Sequence, residues 1–416
     1  MTSTDAKPPA HRLFLLAGLL AGALVVAVLL IGHGSSPSPT DATRAHSGES
    51  DPVRSRPAAA APNPSVIRRS RRRSAVSQLS VAQLAGQRIV YAYSGLTPPS
   101  SLLSAIRAGE AGGVIFFAPN VSSTSQLRAV INQLQRASLA SPVHKRLLML
   151  TDQEGGQVRR LPGAPALSEK QIGQSADPAA AARQAGAGAG QTLNAVGMNV
   201  NLAPVLDVYR RAGNFIDQYQ RSYSDQPGTV AALGAAFVSA QQTAPVAATV
   251  KHFPGLGAAG QSQNTDQGPV TLGASLATLR SADETPYRSA IAAGVKVVMT
   301  SWATYPALDR QRPAGFSPAV IGGELRGRLG FRGVTITDGI DAGAVTRFGG
   351  LGRRAVLAAS AGADLILCVT TNPNDNTPAQ GVTARNAIAA ALAAHRLNRV
   401  AAQQSAARIL SLRAHP

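Results

Sequence analysis

The 416-residue chain is 44% apolar and carries a formal net charge of +19, enough apolar material for one large folded unit with attachments. Aromatic residues make up only 4% and no nucleic-acid-binding module is recognisable, so the charge does not indicate a specific nucleic-acid partner. The single cysteine, Cys368, excludes an intramolecular disulfide and a lipid-bearing cysteine near the N-terminus, and its setting in ADLILCV reads as core.

In chain order, residues 1–12 carry Lys7 and Arg12 ahead of nineteen uncharged residues, Leu13 to Ile31. At 1.5 Å per residue this run spans roughly 28 Å, about one hydrocarbon core. It predicts a single-pass signal anchor over 13–31, with 1–12 in the cytoplasm and the rest exported; a cleaved signal peptide is the alternative and would give a secreted protein. Residues 32–77 are rich in Ser, Pro, Ala and Arg and contain RRSRRR. That composition buries too little apolar surface to offset chain entropy, so a disordered tether is expected, with a basic run suited to anionic surfaces. The remainder, with 30 Lys/Arg against 17 Asp/Glu beyond Ser74, is itself basic and suits a partner bearing negative charge.

From residue 78 onward short apolar runs alternate with Ala-rich stretches of helical period. The runs are RIVYAY (88–93), GVIFFA (113–118), LLMLTD (147–152), MNVNLA (198–203), AATVKH (247–252), VKVVMT (295–300), GVTITD (333–338) and ADLILCV (363–369). Between them lie helix-like segments such as TSQLRAVINQLQRAS, PAAAARQAGAGAGQTLNAVG and ASLATLRSADETPYRSAIAAG. Eight β-α units with strands apolar on both faces predict a (β/α)8 TIM barrel over 78–416, a doubly wound open sheet being the runner-up.

Barrel chemistry gathers where strands end, and polar residues stand there: Asp152, Asp207, Lys251 with His252, Ser301 and Asp338. Any single strand-end Asp reads equally well as a helix cap, but five ends carry such residues. The histidines of the folded part, His144, His252, His395 and His415, show no paired ligand spacing, so no metal is expected. Phosphate-cradling and nucleophile-elbow motifs are lacking as well, and no cofactor is expected. Carboxylates with cationic neighbours suit a polyhydroxylated substrate, and glycoside hydrolysis needs two groups, a nucleophile or base and an acid.

The motifs TDQEGGQVRRLPG (151–163), NVNLAPVLDV (199–208), RSYSDQP (221–227), KHFPGLG (251–257), GVKVVMTSW (294–302) and LRGRLGFRGVTITDGIDAGAV (325–345) occur in the order and spacing of the glycoside hydrolase family 3 N-terminal domain. The chain resembles its bacterial single-domain β-N-acetylhexosaminidases, the NagZ type, over about Val81 to Leu412. The resemblance implies that Asp338 is the nucleophile forming a covalent glycosyl-enzyme, that Asp152 and Arg160 hold sugar hydroxyls, that Arg221 orients the site, and that Lys251 and His252 bind the sugar being cleaved. Cations beside a carboxylate keep it ionised, in keeping with a nucleophile.

One loop departs from the family. After KHFPG the family has a His and, a few residues on, Asp-Ser-His, whose His is the acid/base. Here Leu256 stands at the first His, and the triplet aligns with Ser262, Gln263 and Asn264. None of these side chains titrates near neutrality. The family position after VMTS, often His, is Trp302. Asp266, on the same Gly-rich loop, is the leading substitute acid/base, ahead of Asp225 and Glu154. The expected function is hydrolysis of β-linked N-acetylhexosamine in a peptidoglycan-type glycan by a retaining mechanism, with a β-glucosidase-like specificity or a noncatalytic wall-glycan-binding module as alternatives.

Overall fold

In the computed structural model, residues 76–416 are described; the expected anchor at 13–31 and nearly all of the tether at 32–77 lie outside them. Among the described residues no helix is long and apolar enough to cross a membrane. Val76 and Leu79 already pack into the protein's outer apolar layer.

Eight parallel strands close into a barrel: β1 (Ile89–Tyr91), β2 (Gly113–Ile115), β3 (Leu148–Thr151), β4 (Val200–Asn201), β5 (Ala247–Phe253), β6 (Val297–Thr300), β7 (Val334–Gly339) and β8 (Leu365–Leu367). Each pairs with its neighbours in sequence, and β1 pairs with β8, so the doubly wound alternative is excluded. All eight lie within the expected apolar runs or within a residue of their ends. Their composition follows from burial on both faces. Val297, Met299, Val334 and Ile336 fill the barrel interior, while alternate residues such as Ile89, Tyr91 and Val298 face the surrounding helices.

The helix Pro178–Val196 begins at Asp177, whose carboxylate accepts from Ala180 N, and ends at Gly197 with φ of 88°, the expected start and stop chemistry. Its small-residue stripe has a packing reason. A Cβ at Gly186 or Gly190 would lie 2.3 Å from Phe237 O or 2.7 Å from Gln241 O, so glycine lets the helix settle against its neighbour, Pro227–Gln241. The stretch 274–294, expected as one helix, is broken into a turn at Leu276–Thr278, a wide turn at Leu279–Asp283 and a helix at Thr285–Ala292. Pro286 explains the restart: lacking an N–H, it fits the first turn of a helix and not its interior.

At the opposite end of the barrel from the site, Asp364 is buried and accepts from Arg326 Nη2 (2.7 Å), Arg408 Nη2 (2.7 Å) and Thr335 N (3.0 Å). Charge pairing there belongs to the fold and leaves the strand C-termini to the chemistry.

Candidate active site

Where the strands end, one cavity of about 240 Å³ is lined by Asp152, Arg160, Arg221, Lys251, His252, Asp266 and Asp338 together. Apart from the less favoured acids Asp225 and Glu154, every residue named from the sequence as catalytic or sugar-binding is in that wall. Asp338 is the penultimate residue of β7; its Oδ1 accepts from Gly339 N at 2.7 Å, leaving the other oxygen for the cavity. Trp302, 1% exposed, donates from Nε1 to Gly339 O at 2.7 Å and packs on Phe316. The Trp302 ring, at the position where the resemblance implies a histidine, is therefore a buried brace under the end of the strand that carries Asp338 and does not line the cavity.

The cations form a neutralised network. Lys251, 2% exposed, reaches Asp152 Oδ1 at 2.8 Å and Glu154 Oε1 at 2.7 Å. Arg221 grips Glu154 with two bonds of 2.9 Å, the planar fork geometry that suits a carboxylate. Burial alone would raise the Glu154 carboxyl, but Arg221 and then Lys251 bring it down to about 2. Burial would likewise lower Lys251, and Asp152 and Glu154 together hold it above its ordinary value. Arg160 lies farther out, with Nε 3.9 Å from Asp152 Oδ2. The arrangement fixes the Asp152 and Lys251 heads at the cavity floor with charges already satisfied, which suits hydrogen bonding to hydroxyls rather than capture of a bare anion.

Sequence reasoning placed Glu154 only among the less favoured acids. Held near a pKa of 2, it is a strut and not a proton donor. Its signal was present in TDQEGG: on an extended segment, residues two apart share a face, so Glu154 follows Asp152 toward Lys251. Asp225 is exposed and bonds only to its neighbours Ser224 and Gln226, outside the cavity wall, which removes it as a candidate. Asp207 was noted at a strand end without a role. Fully buried, it accepts from His252 Nδ1 at 2.7 Å, His252 N at 3.2 Å and Leu256 N at 2.6 Å. It thus turns the other ring nitrogen of His252 toward the cavity. Ser301 lies outside the wall, accepting from Ala303 N.

The Gly-rich loop after KHFP is tied down along its length. Arg210 N and Asn214 Nδ2 donate to Gly257 O, Phe215 N to Ala259 O, and Gln218 Nε2 to Gln261 O. Gly257 has to be glycine, since a Cβ would meet Val208 O at 2.0 Å. Farther on, Ala344 N donates to Thr265 O at 3.0 Å and Gly343 N to Asp266 O at 2.8 Å, joining the loop to the segment that follows β7. Ser262, Gln263 and Asn264, aligned with the family triplet, do not line the cavity; Gln263 and Asn264 accept from Gly260 N and Asp266 N in local turns. Thr265 and Asp266 are the loop residues that reach it. Asp266 keeps surface open to solvent, yet enclosure by the cleft walls and then the like charge of Asp338 push its carboxyl up to about 6.

A parallel barrel whose C-terminal rim pairs a strand-end carboxylate with a second carboxyl of raised pKa, beside a fixed network of cations and carboxylates, suits a glycosidase. The profile described as the glycosyl hydrolase family 3 N-terminal domain matches residues 76–412, and the chain belongs to that family. A protein of Arthroderma benhamiae described as an uncharacterized secreted glycosyl hydrolase is 46% identical over 336 residues, 80% of this chain and 93% of that protein. Among solved structures, a family 3 β-N-acetylglucosaminidase from Paenibacillus sp. superposes with a TM-score of 0.75 at 34% identity, over 81% of this chain and 62% of that one. A β-N-acetylhexosaminidase from Beutenbergia cavernae gives 0.72 at 30% identity, over 81% and 99%.

Proposed function

We propose that this glycosidase hydrolyses β-linked N-acetylhexosamine with retention of configuration, Asp338 acting as nucleophile and Asp266 as acid/base. The observation that carries this reading is the cavity holding both carboxyls, with Asp266 raised to about 6 and Asp338 contributing to that rise. In the first step a carboxylate oxygen of Asp338 bonds to the anomeric carbon as the glycosidic C–O bond breaks, and protonated Asp266 gives its proton to the departing oxygen. In the second, Asp266 takes a proton from water, whose oxygen displaces Asp338. Asp152, Arg160 and Lys251 hold ring hydroxyls, and His252, oriented by Asp207, adds a further contact. The hexosaminidase preference follows the solved relatives of that activity, and an extracytoplasmic, wall-facing location follows the apolar segment at 13–31 and the secreted relative.

The test is release of 4-nitrophenol from its N-acetyl-β-D-glucosaminide, beside the matching glucoside and the Asp338→Asn variant. Turnover on the first that Asp338→Asn abolishes supports the proposal. Preference for the glucoside overturns the substrate class. No turnover above the variant on either substrate, with glycan fragments still bound, makes the protein a wall-glycan-binding module.

A further inference from the structure

The cavity is small and closed below, so it suits the one sugar ring that is cleaved, and the leaving part of a glycan must cross its mouth. Resting on the reading of Asp266 as proton donor, the leaving oxygen, and the sugar attached to it, lies on the side of the Asp266 loop. The segment hydrogen-bonded to that loop is 214–218, through Asn214, Phe215 and Gln218. At its end stands Tyr219, 43% exposed, an unusual exposure for a ring in a chain with so few aromatics. Its ring meets Phe215 edge to face at 6.0 Å, and Phe215 lines the cavity. The aromatic surface is thus continuous from the cavity wall to the rim.

Gln218 and Gln220, the chain neighbours of Tyr219, line an open depression of about 520 Å³ together with Lys170, Gln171, Gln174 and Asp217. Lys170 and Asp217 neutralise each other at 2.7 Å, so the depression offers amides and a satisfied ion pair rather than a net charge. An exposed ring face beside side-chain amides is the chemistry that recognises a neutral pyranose: the ring covers the sugar's C–H face, and amides exchange hydrogen bonds with hydroxyls and N-acetyl groups. We infer that Tyr219 and this amide-lined depression form a leaving-group subsite that binds the next sugars of a glycan chain.

The test compares the full-length protein with Tyr219→Ala and Tyr219→Phe, using N,N′,N″-triacetylchitotriose as substrate and N-acetylglucosamine as a competitive inhibitor that fills only the cleaved position. Tyr219→Ala is expected to raise KM for the trisaccharide about tenfold while changing the monosaccharide inhibition constant far less. Tyr219→Phe, which keeps the ring, is expected to stay within about twofold of the parent. An unchanged trisaccharide KM, or equal losses for both sugars, overturns the inference. Should the parent not turn over at all, the hydrolase reading fails separately. The same comparison is then made by calorimetry of trisaccharide binding, where equal affinity for Tyr219→Ala and parent overturns the subsite.

Discussion

Replacing Asp266 by Asn tests the proposed proton donor through its pH signature. With its carboxyl at about 6, Asp266 is fully protonated only well below that pH, and about a tenth of it is protonated at pH 7. An acid whose pKa is raised supports the first step below that value and withdraws as pH rises through it. For a poor leaving group such as the sugar of N,N′-diacetylchitobiose, kcat/KM is expected to fall about tenfold per pH unit above 6. Asp266→Asn removes the donor, a loss of about 10²- to 10⁴-fold, or roughly 3–5 kcal/mol of barrier. It also removes the alkaline limb. The 4-nitrophenyl glycoside, whose leaving group needs little protonation, is expected to lose far less in kcat/KM. The assay is a pair of profiles from about pH 5 to 9 on both substrates. A variant that retains the alkaline limb of the parent, or that loses equally on the two substrates, refutes the assignment.

Two further predictions concern what holds the site. Lys251→Met leaves Glu154 on Arg221 alone inside a buried network, so stability is expected to fall by about 3–5 kcal/mol and Tm by roughly 4–7 °C. A calorimetric melt within about 1 °C of the parent would contradict the network as drawn. Trp302→Ala opens a void beside Phe316 and removes the bond to Gly339 O. It is expected to cost about 3–5 kcal/mol in denaturant unfolding and to lower kcat more than it raises KM. Full activity in a folded variant would show that the brace does not position Asp338.

The barrel was legible because strands buried on both faces must be written as apolar runs, and five of these eight runs end at or near polar residues, Asp152, Lys251 and Asp338 among them, that sit at the rim for that reason. Tertiary arrangements were less so. Asp207 looked like a cap because nothing local records that a carboxylate after β4 reaches across to His252 in β5 and to Leu256 just after it. The family triplet aligned with Ser262 to Asn264, residues the chain spends on local turns, while Asp266, named from the sequence as the substitute, is the carboxylate that the loop delivers to the cavity. The helix read over 274–294 failed at Pro286, a breaker visible in the sequence and outvoted by its Ala-rich surroundings.

Thr265 and Asp266 hang by their carbonyls from the amides of Ala344 and Gly343, and a Cβ on Gly343 would lie 2.3 Å from Gln267 O. The proposed nucleophile and the proposed donor therefore ride on one stitched unit. Anyone transplanting a histidine-bearing loop from a relative into this barrel would have to match those two stitches in register. A graft that is one residue out presents its new side chain to solvent, however faithfully it copies the donor sequence.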